Sequence, residues 1–219
     1  MVELLLLVPL VTALLCGMSR SERSIFTLSV AGSLITALVA IPYCHAAFFQ
    51  GPLDRGLWYL DPLSALFVCI IVTVTALVSV YSVEYLKHDR QEGEANIRDL
   101  RYYHFLLHLF ALSMLLVVVV DSLGLMWIAI EATTLVSAFL VGFYMKSEAM
   151  EASWKYLIIC SVGITLALLG IILLYASSSG ALPEGADSLD WSVLRSVAER
   201  LDPALLKVSF ILMLVGLGT

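Results

Sequence analysis

Apolar residues run in blocks along this chain. The blocks cover residues 2–18, 24–48, 61–85, 101–120, 123–145 and 153–176, and another begins near 203. Each full block holds roughly 17–25 residues, the helix length needed to cross a hydrocarbon layer of about 30 Å. A transmembrane β-barrel would alternate apolar and polar residues in segments of about ten, and no such alternation occurs. The pattern predicts an all-α, polytopic transmembrane helix bundle with six full spans and a truncated seventh.

The fourth and fifth spans need a separate argument. Between Arg101 and Lys146 only Asp121 and Glu131 are charged. As one helix this stretch would be about 66 Å long, twice the bilayer, so it must fold back once. Asp121-Ser122 followed by Gly124 supplies turn chemistry near its middle. Asp61 is placed to cap the third span, with Pro62 at its first helical position.

Composition removes other classes. Of 219 residues, 61% are hydrophobic and 14% charged, and the mean hydropathy is +0.98. A soluble domain holds about 25% charged residues. The net charge of −6 carries little information about partners, because the basic residues sit in short loops between spans. No nucleic-acid partner is expected. Cys16, Cys44, Cys69 and Cys160 fall singly on different apolar blocks, which gives neither a metal-ligand set nor a disulfide framework. In the first block an acid, Glu3, leads and Arg20 and Arg23 follow. A signal peptide has the opposite order, so this block reads as a first membrane helix.

Basic residues predict orientation. Arg20, Arg23, Lys87, Arg90, Arg98, Arg101, Lys146 and Lys155 follow spans one, three and five, whereas Arg55, Arg195, Arg200 and Lys207 lie on the other side. By the positive-inside rule the first set is cytoplasmic and the N-terminus outside. The loop over 177–202 carries breakers at Ser177-Ser178-Ser179-Gly180 and Pro183-Glu184-Gly185. Val193, Leu194, Val197 and Leu201 then form an apolar stripe at helical spacing, preceded by Asp187 and Asp190 and accompanied by Arg195 and Arg200. This predicts a surface helix over about 188–201, covering the mouth of the bundle. Leu205 to Thr219 is too short to cross a bilayer, so the sequence reads as an N-terminal piece of a longer chain.

Few residues can carry chemistry. Glu131 lies near the middle of the fifth span, beside Thr133, Thr134 and Ser137. Ionisable groups at membrane depth usually face the bundle interior or water. Desolvation disfavours a charged carboxylate and a nearby cation favours it, so a carboxyl between these influences can take up and release a proton. The alternative is a structural hydrogen bond. Lys155 opens the sixth span; it either snorkels to the interface or leans inward to influence Glu131. His104 and His108, four apart, share one face of the fourth span. His108 reads equally as a proton relay or as a satisfied core histidine; a metal site lacks further ligands. There is no phosphate loop, nucleophile–base pair or haem ligand pattern. No cofactor is expected.

The run Leu125-Met126-Trp127-Ile128-Ala129-Ile130-Glu131-Ala132-Thr133-Thr134-Leu135, with Ser137-Ala138-Phe139-Leu140-Val141-Gly142 after it, resembles the antiporter-like membrane subunits of respiratory complex I and the group 4 hydrogenases. Its wording is most similar to the F component of hydrogenase-4. Ala152-Ser153-Trp154-Lys155-Tyr156-Leu157-Ile158-Ile159-Cys160, with Val162-Gly163, carries the same resemblance. Val80-Tyr81-Ser82-Val83-Glu84-Tyr85-Leu86 is similar to the end of the family's third helix, where the position of Glu84 is often glycine. Val215-Gly216-Leu217-Gly218-Thr219 looks like the stretch before the lysine of the family's broken seventh helix.

The resemblance implies three peripheral helices with a cytoplasmic loop over 1–100. Over 101–219 it implies part of a first five-helix repeat, spans four to seven with the surface helix. It implies that Glu131 pairs with a seventh-helix lysine in a proton half-channel and that Lys155 is the family's recurring sixth-helix lysine, with the seventh-helix lysine and second repeat lying beyond this sequence; Glu131, Lys155 and, from the residues alone, His108 are the proton-relay candidates. The implied function is proton translocation, with sodium as the alternative ion, in a redox-driven complex of hydrogenase-4 or formate hydrogenlyase type. Complex I and Mrp-type antiporters are the near alternatives, and an assembly scaffold is the different class. The implied partners are other membrane-arm subunits, a peripheral redox module and the lipid bilayer, in a prokaryotic cytoplasmic (inner) membrane.

Overall fold

The computed structural model describes residues 2–93, 95–178, 182 and 189–219. Its elements are α1 (Glu3–Met18), α2 (Glu22–Phe49), a hairpin of β1 (Leu53–Arg55) and β2 (Trp58–Leu60), α3 (Pro62–Gln91), α4 (Ile97–Val119), α5 (Leu123–Val141), α6 (Ser147–Ser178), α7 (Trp191–Ser196), a 3-10 turn (Ala198–Arg200) and α8 (Pro203–Leu217). Local chemistry sets the helix starts. The Asp61 carboxylate accepts from Ser64 N at 2.7 Å, with Pro62 at the first helical position, as expected. A reciprocal box between Asn96 and Asp99 starts α4 four residues ahead of the expected boundary. Asp202 accepts from the backbone of Ala204 and Leu205 at the start of α8.

Among the described residues, five helices are long and apolar enough to cross a membrane: α2, α3, α4, α5 and α6. The expectation of six full spans is therefore met in five. With 16 residues, α1 is a shorter apolar helix, about 24 Å long. The apolar α8 has 15 residues. Charged turns extend two spans beyond their expected limits. In α3, Glu84–Lys87 and His88–Glu92 pair at helical spacing and carry the helix to Gln91. In α6 an acid in the first turn, Glu148, suits the helix dipole, so the helix begins at Ser147. Conversely α5 stops at Val141, before the positive φ of Met145 turns the chain.

The helix ends gather into two groups. At one end the hairpin lies against the turn between α4 and α5: Asp121 N donates to Leu57 O at 3.0 Å, and Trp58 bridges Val120. The Asp121 carboxylate accepts from Ser192 N (3.1 Å) and Ser192 Oγ at the start of α7. Asp121 is thus the expected turn residue, and it also ties three segments together. Leu194, Val197 and Leu201 are buried here against Leu123, Ile171 and Leu174. The stripe is as expected, but its helix is shorter: α7 ends at Ser196 and a 3-10 turn follows. Of the proposed breakers, Ser177 and Ser178 are instead the last two residues of α6; Ser179, Gly180 and Pro183-Glu184-Gly185, with Asp187, lie outside the described residues.

At the other end Arg90 pairs with Glu22 at 2.9 Å, and Ile25, Phe26, Leu86, Ala95 and Leu100 form a core. Tyr144 donates to the Asp89 carboxylate. Burial, then that bond, raises the pKa of the Tyr144 phenol. The remaining core joins α1 to α4 through Leu5, Ala40, Ala65, Val68, Leu115 and their neighbours.

Candidate functional site

Glu131 is the ninth residue of the 19-residue α5. Trp127, one turn before it, donates its indole N–H to Ile164 O of α6 at 2.9 Å. Farther along, Ser153 Oγ donates to Ala138 O at 2.7 Å and Tyr156 Oη lies 3.0 Å from Ser137 Oγ. Positions 127, 131, 134 and 138 follow the helical repeat, so Glu131 shares the face of α5 that meets α6. Its Oε2 is buried and has no hydrogen-bond partner. The hydroxyls beside it in sequence do not reach the carboxyl. Thr133 donates to Ala129 O, Thr134 to Glu131 O and Ser137 to Thr134 O. The site therefore consists of one carboxyl at mid-helix, in contact with protein on one side and without a bonded partner at one oxygen.

Lys155 is not bonded to it. Its ammonium pairs with Glu151 on its own helix, and its side chain is 70% exposed. The register of α5 against α6, with 127 beside 164 and 138 beside 153, explains why. It sets Glu131 opposite about residue 160, so Lys155 lies roughly 7 Å farther along the helix axis.

His104 and His108 do share a face, and that face meets α2. Both rings are fully buried. His104 Nδ1 and His108 Nε2 each lie 2.9 Å from Ser29 Oγ. One serine therefore bridges two imidazoles. The opposite nitrogens, His104 Nε2 and His108 Nδ1, are buried and have no partner. His104 also packs edge-on against Phe26 and Tyr103. Sequence reasoning missed Ser29. The available signal was the spacing of Ser29, Ser33 and Thr36, all buried on one stripe of an otherwise apolar helix. Among the described residues no cluster of three His, Cys, Asp or Glu side chains could hold a metal ion. The four cysteines are free thiols.

Similar proteins fit this architecture. A family model described as NADH-Ubiquinone oxidoreductase (complex I), chain 5 N-terminus, matches residues 57–93. Another, described as NADH:quinone oxidoreductase/Mrp antiporter, TM, matches residues 120–219. The chain is 36% identical over 159 residues to a hydrogenase-4 component F homolog of Methylacidiphilum infernorum, covering 73% of this chain and 33% of that protein. It is 32% identical over 155 residues to NADH-quinone oxidoreductase subunit L of Rhodobacter capsulatus, covering 69% of this chain and 20% of the relative. The chain thus spans a third or less of the length of these curated relatives. Two solved structures share its fold. A chain of the membrane-bound sulfane sulfur reductase, an archaeal respiratory membrane complex, superposes with a TM-score of 0.80 at 21% identity, covering 99% of this chain and 44% of that one. A chain of respiratory complex I from Thermus thermophilus gives 0.72 at 22% identity, covering 100% and 43%. On these matches, with its apolar helices and mid-helix carboxyl, the chain belongs to the antiporter-like membrane subunits of the complex I, group 4 hydrogenase and Mrp superfamily.

Proposed function

We propose that this chain is part of a proton-translocating subunit in a redox-driven complex of hydrogenase-4 or formate hydrogenlyase type. The observation that carries this reading is the carboxyl of Glu131. It sits halfway along a membrane helix, its Oε2 buried and unbonded. An acid kept there without a fixed partner costs stability and suits a group that changes its proton and its partner during turnover. Glu131 is the carrier. Lys155, held by Glu151 near the start of α6, acts on it from the interface. Proton transfer needs no resident cofactor here, so the electron chemistry belongs to other subunits. Residues 1–100 are the peripheral helices, and 101–219 are part of the first repeat. The basic end of the bundle faces the cytoplasm of a prokaryotic cell. The 36% identity over 159 residues to the hydrogenase-4 homolog supports the hydrogenase branch.

The test replaces Glu131 with Gln in the intact complex. Proton translocation per electron pair should be lost while assembly and the redox reaction persist. Failed assembly, with normal translocation in the residual complex, would instead make Glu131 a structural group and the subunit a scaffold.

A further inference from the structure

We propose that Ser29 joins His104 and His108 into a single proton-transfer unit, in which the tautomer of one imidazole dictates that of the other. The geometry is symmetrical. Ser29 Oγ lies 2.9 Å from His104 Nδ1 and 2.9 Å from His108 Nε2. A serine hydroxyl has one proton to donate and two lone pairs to accept with. A neutral imidazole has one N–H and one bare nitrogen. Two arrangements pass a proton straight through the bridge. In the first, His108 Nε2–H donates to Ser29, Ser29 donates to His104 Nδ1, and His104 bears its proton on Nε2. In the second, His104 Nδ1–H donates to Ser29, Ser29 donates to His108 Nε2, and His108 bears its proton on Nδ1.

Conversion between the two is balanced. One proton arrives at His108 Nδ1. The Nε2 proton moves to Ser29 Oγ, the Ser29 proton moves to His104 Nδ1, and one proton leaves from His104 Nε2. Both rings end neutral. The two terminal atoms this scheme needs, His108 Nδ1 and His104 Nε2, are the two buried imidazole nitrogens that have no partner. A clamp that merely fastened α2 to α4 would need only one histidine.

The surroundings offer continuations on both sides. His108, the middle residue of α4, borders a space with the hydroxyls of Ser33, Thr36 and Thr75 that is too narrow for a water molecule. Next to His104 stands Tyr103, whose hydroxyl shares a 2.7 Å bond with Ser82 Oγ. Ser79 Oγ, one turn from Ser82, is buried and unbonded. Among the described residues no hydrogen bond spans these gaps, so transfer past either histidine requires a side-chain rotation or a widening that admits water. The unit lies between α2 and α4, whereas Glu131 faces α6. Its use in translocation rests on the function proposed above; the tautomer coupling itself can be measured without any translocation.

The experiment labels the histidines of the full chain with nitrogen-15 in lipid nanodiscs and reads the imidazole nitrogen shifts. His108→Phe should change the His104 tautomer ratio about fivefold, the bias that one buried hydrogen bond sustains. In the Ser29→Ala background the same replacement should change it by nothing, whereas Ser29→Thr, which keeps a hydroxyl, should retain the coupling. If Ser29→Ala does not fold, Ser29→Cys, a poor donor and acceptor, takes its place. The proposal is overturned if His108→Phe leaves the His104 ratio unchanged with Ser29 present, or if the change persists without the hydroxyl. In the intact complex, Ser29→Ala should lower translocation and Ser29→Thr should restore it. Loss through Glu131→Gln with the tautomer coupling intact, or the reverse, separates this unit from the carboxyl site.

Discussion

The two halves of the bundle treat buried polarity differently. In α1–α4, serines and threonines line the interior, and most donate to their own backbone or to a neighbouring helix. Thr36 bonds Gly32 O, Ser82 reaches Tyr103, and Ser29 holds two histidines. In α5–α8 glycines set the closest backbone approach. A Cβ on Gly216 would come within 2.4 Å of Ala167 N, and one on Gly170 within 2.9 Å of Ser209 O. Small residues let membrane helices approach this closely. Against that packing stands one carboxyl, Glu131, with an open oxygen. The first half leaves neutral groups unbonded, Ser79 Oγ and two imidazole nitrogens among them; among the described residues of the second half the buried side-chain atom without a partner is a carboxyl oxygen, Glu131 Oε2.

The sharpest way to break this contrast is Glu131→Gln, which should lower proton translocation by about a hundredfold or more, the scale of losing a proton-transfer group. Proton flux in reconstituted vesicles measures it. If the carboxyl were structural, flux would hold and assembly would fall. Next, Gly216→Ala should weaken the α6–α8 contact by about 1–3 kcal/mol through overpacking. Denaturant titration in detergent should show it, whereas Gly56→Ala, in the open hairpin turn with φ +69, disturbs only local backbone. In the first half, Ser29→Ala removes two bonds and should cost about 1–3 kcal/mol, because two buried nitrogens lose their partner. The same titration reads it, and a cost near zero would mean that the histidines are held by packing alone.

A smaller effect is expected at the end of the bundle. Asp121→Ala removes the acceptor for Ser192 N and Oγ and should free α7, raising amide exchange over 191–196 with the rest of the molecule unchanged. The smallest is Lys155→Gln. Its pair with Glu151 is 70% exposed on the lysine side, so stability should move by less than about 0.5 kcal/mol. Translocation should fall far less than with Glu131→Gln. An equal fall would put Lys155 in direct contact with the carboxyl during turnover.

Much of this arrangement was legible in the residues. Block length and hydropathy gave the helices, Asp61-Pro62 gave a helix start, and Asp121-Ser122 gave the turn that splits α4 from α5. These are local signals, set by hydrogen-bond capping and by the thickness of a bilayer. The spacing of His104 and His108 placed both on one face, because a helix repeats every 3.6 residues. Boundaries failed where charged turns extend a helix past the lipid, as at Gln91 and Ser147. A hydropathy pattern cannot tell a helix that continues into water from one that ends.

What only the tertiary structure decided is which groups meet. Sequence marks Glu131 as buried, but the register of α5 on α6 decides that Lys155 lies off its level and pairs with Glu151. It marks two histidines on one face, but the approach of α2, 75 and 79 residues away in the chain, decides that a single serine stands between them. Helix formation depends on near neighbours and solvent, and so is written along the chain. Partner choice depends on helix crossing and rotation, which are settled by the packing of all the helices at once.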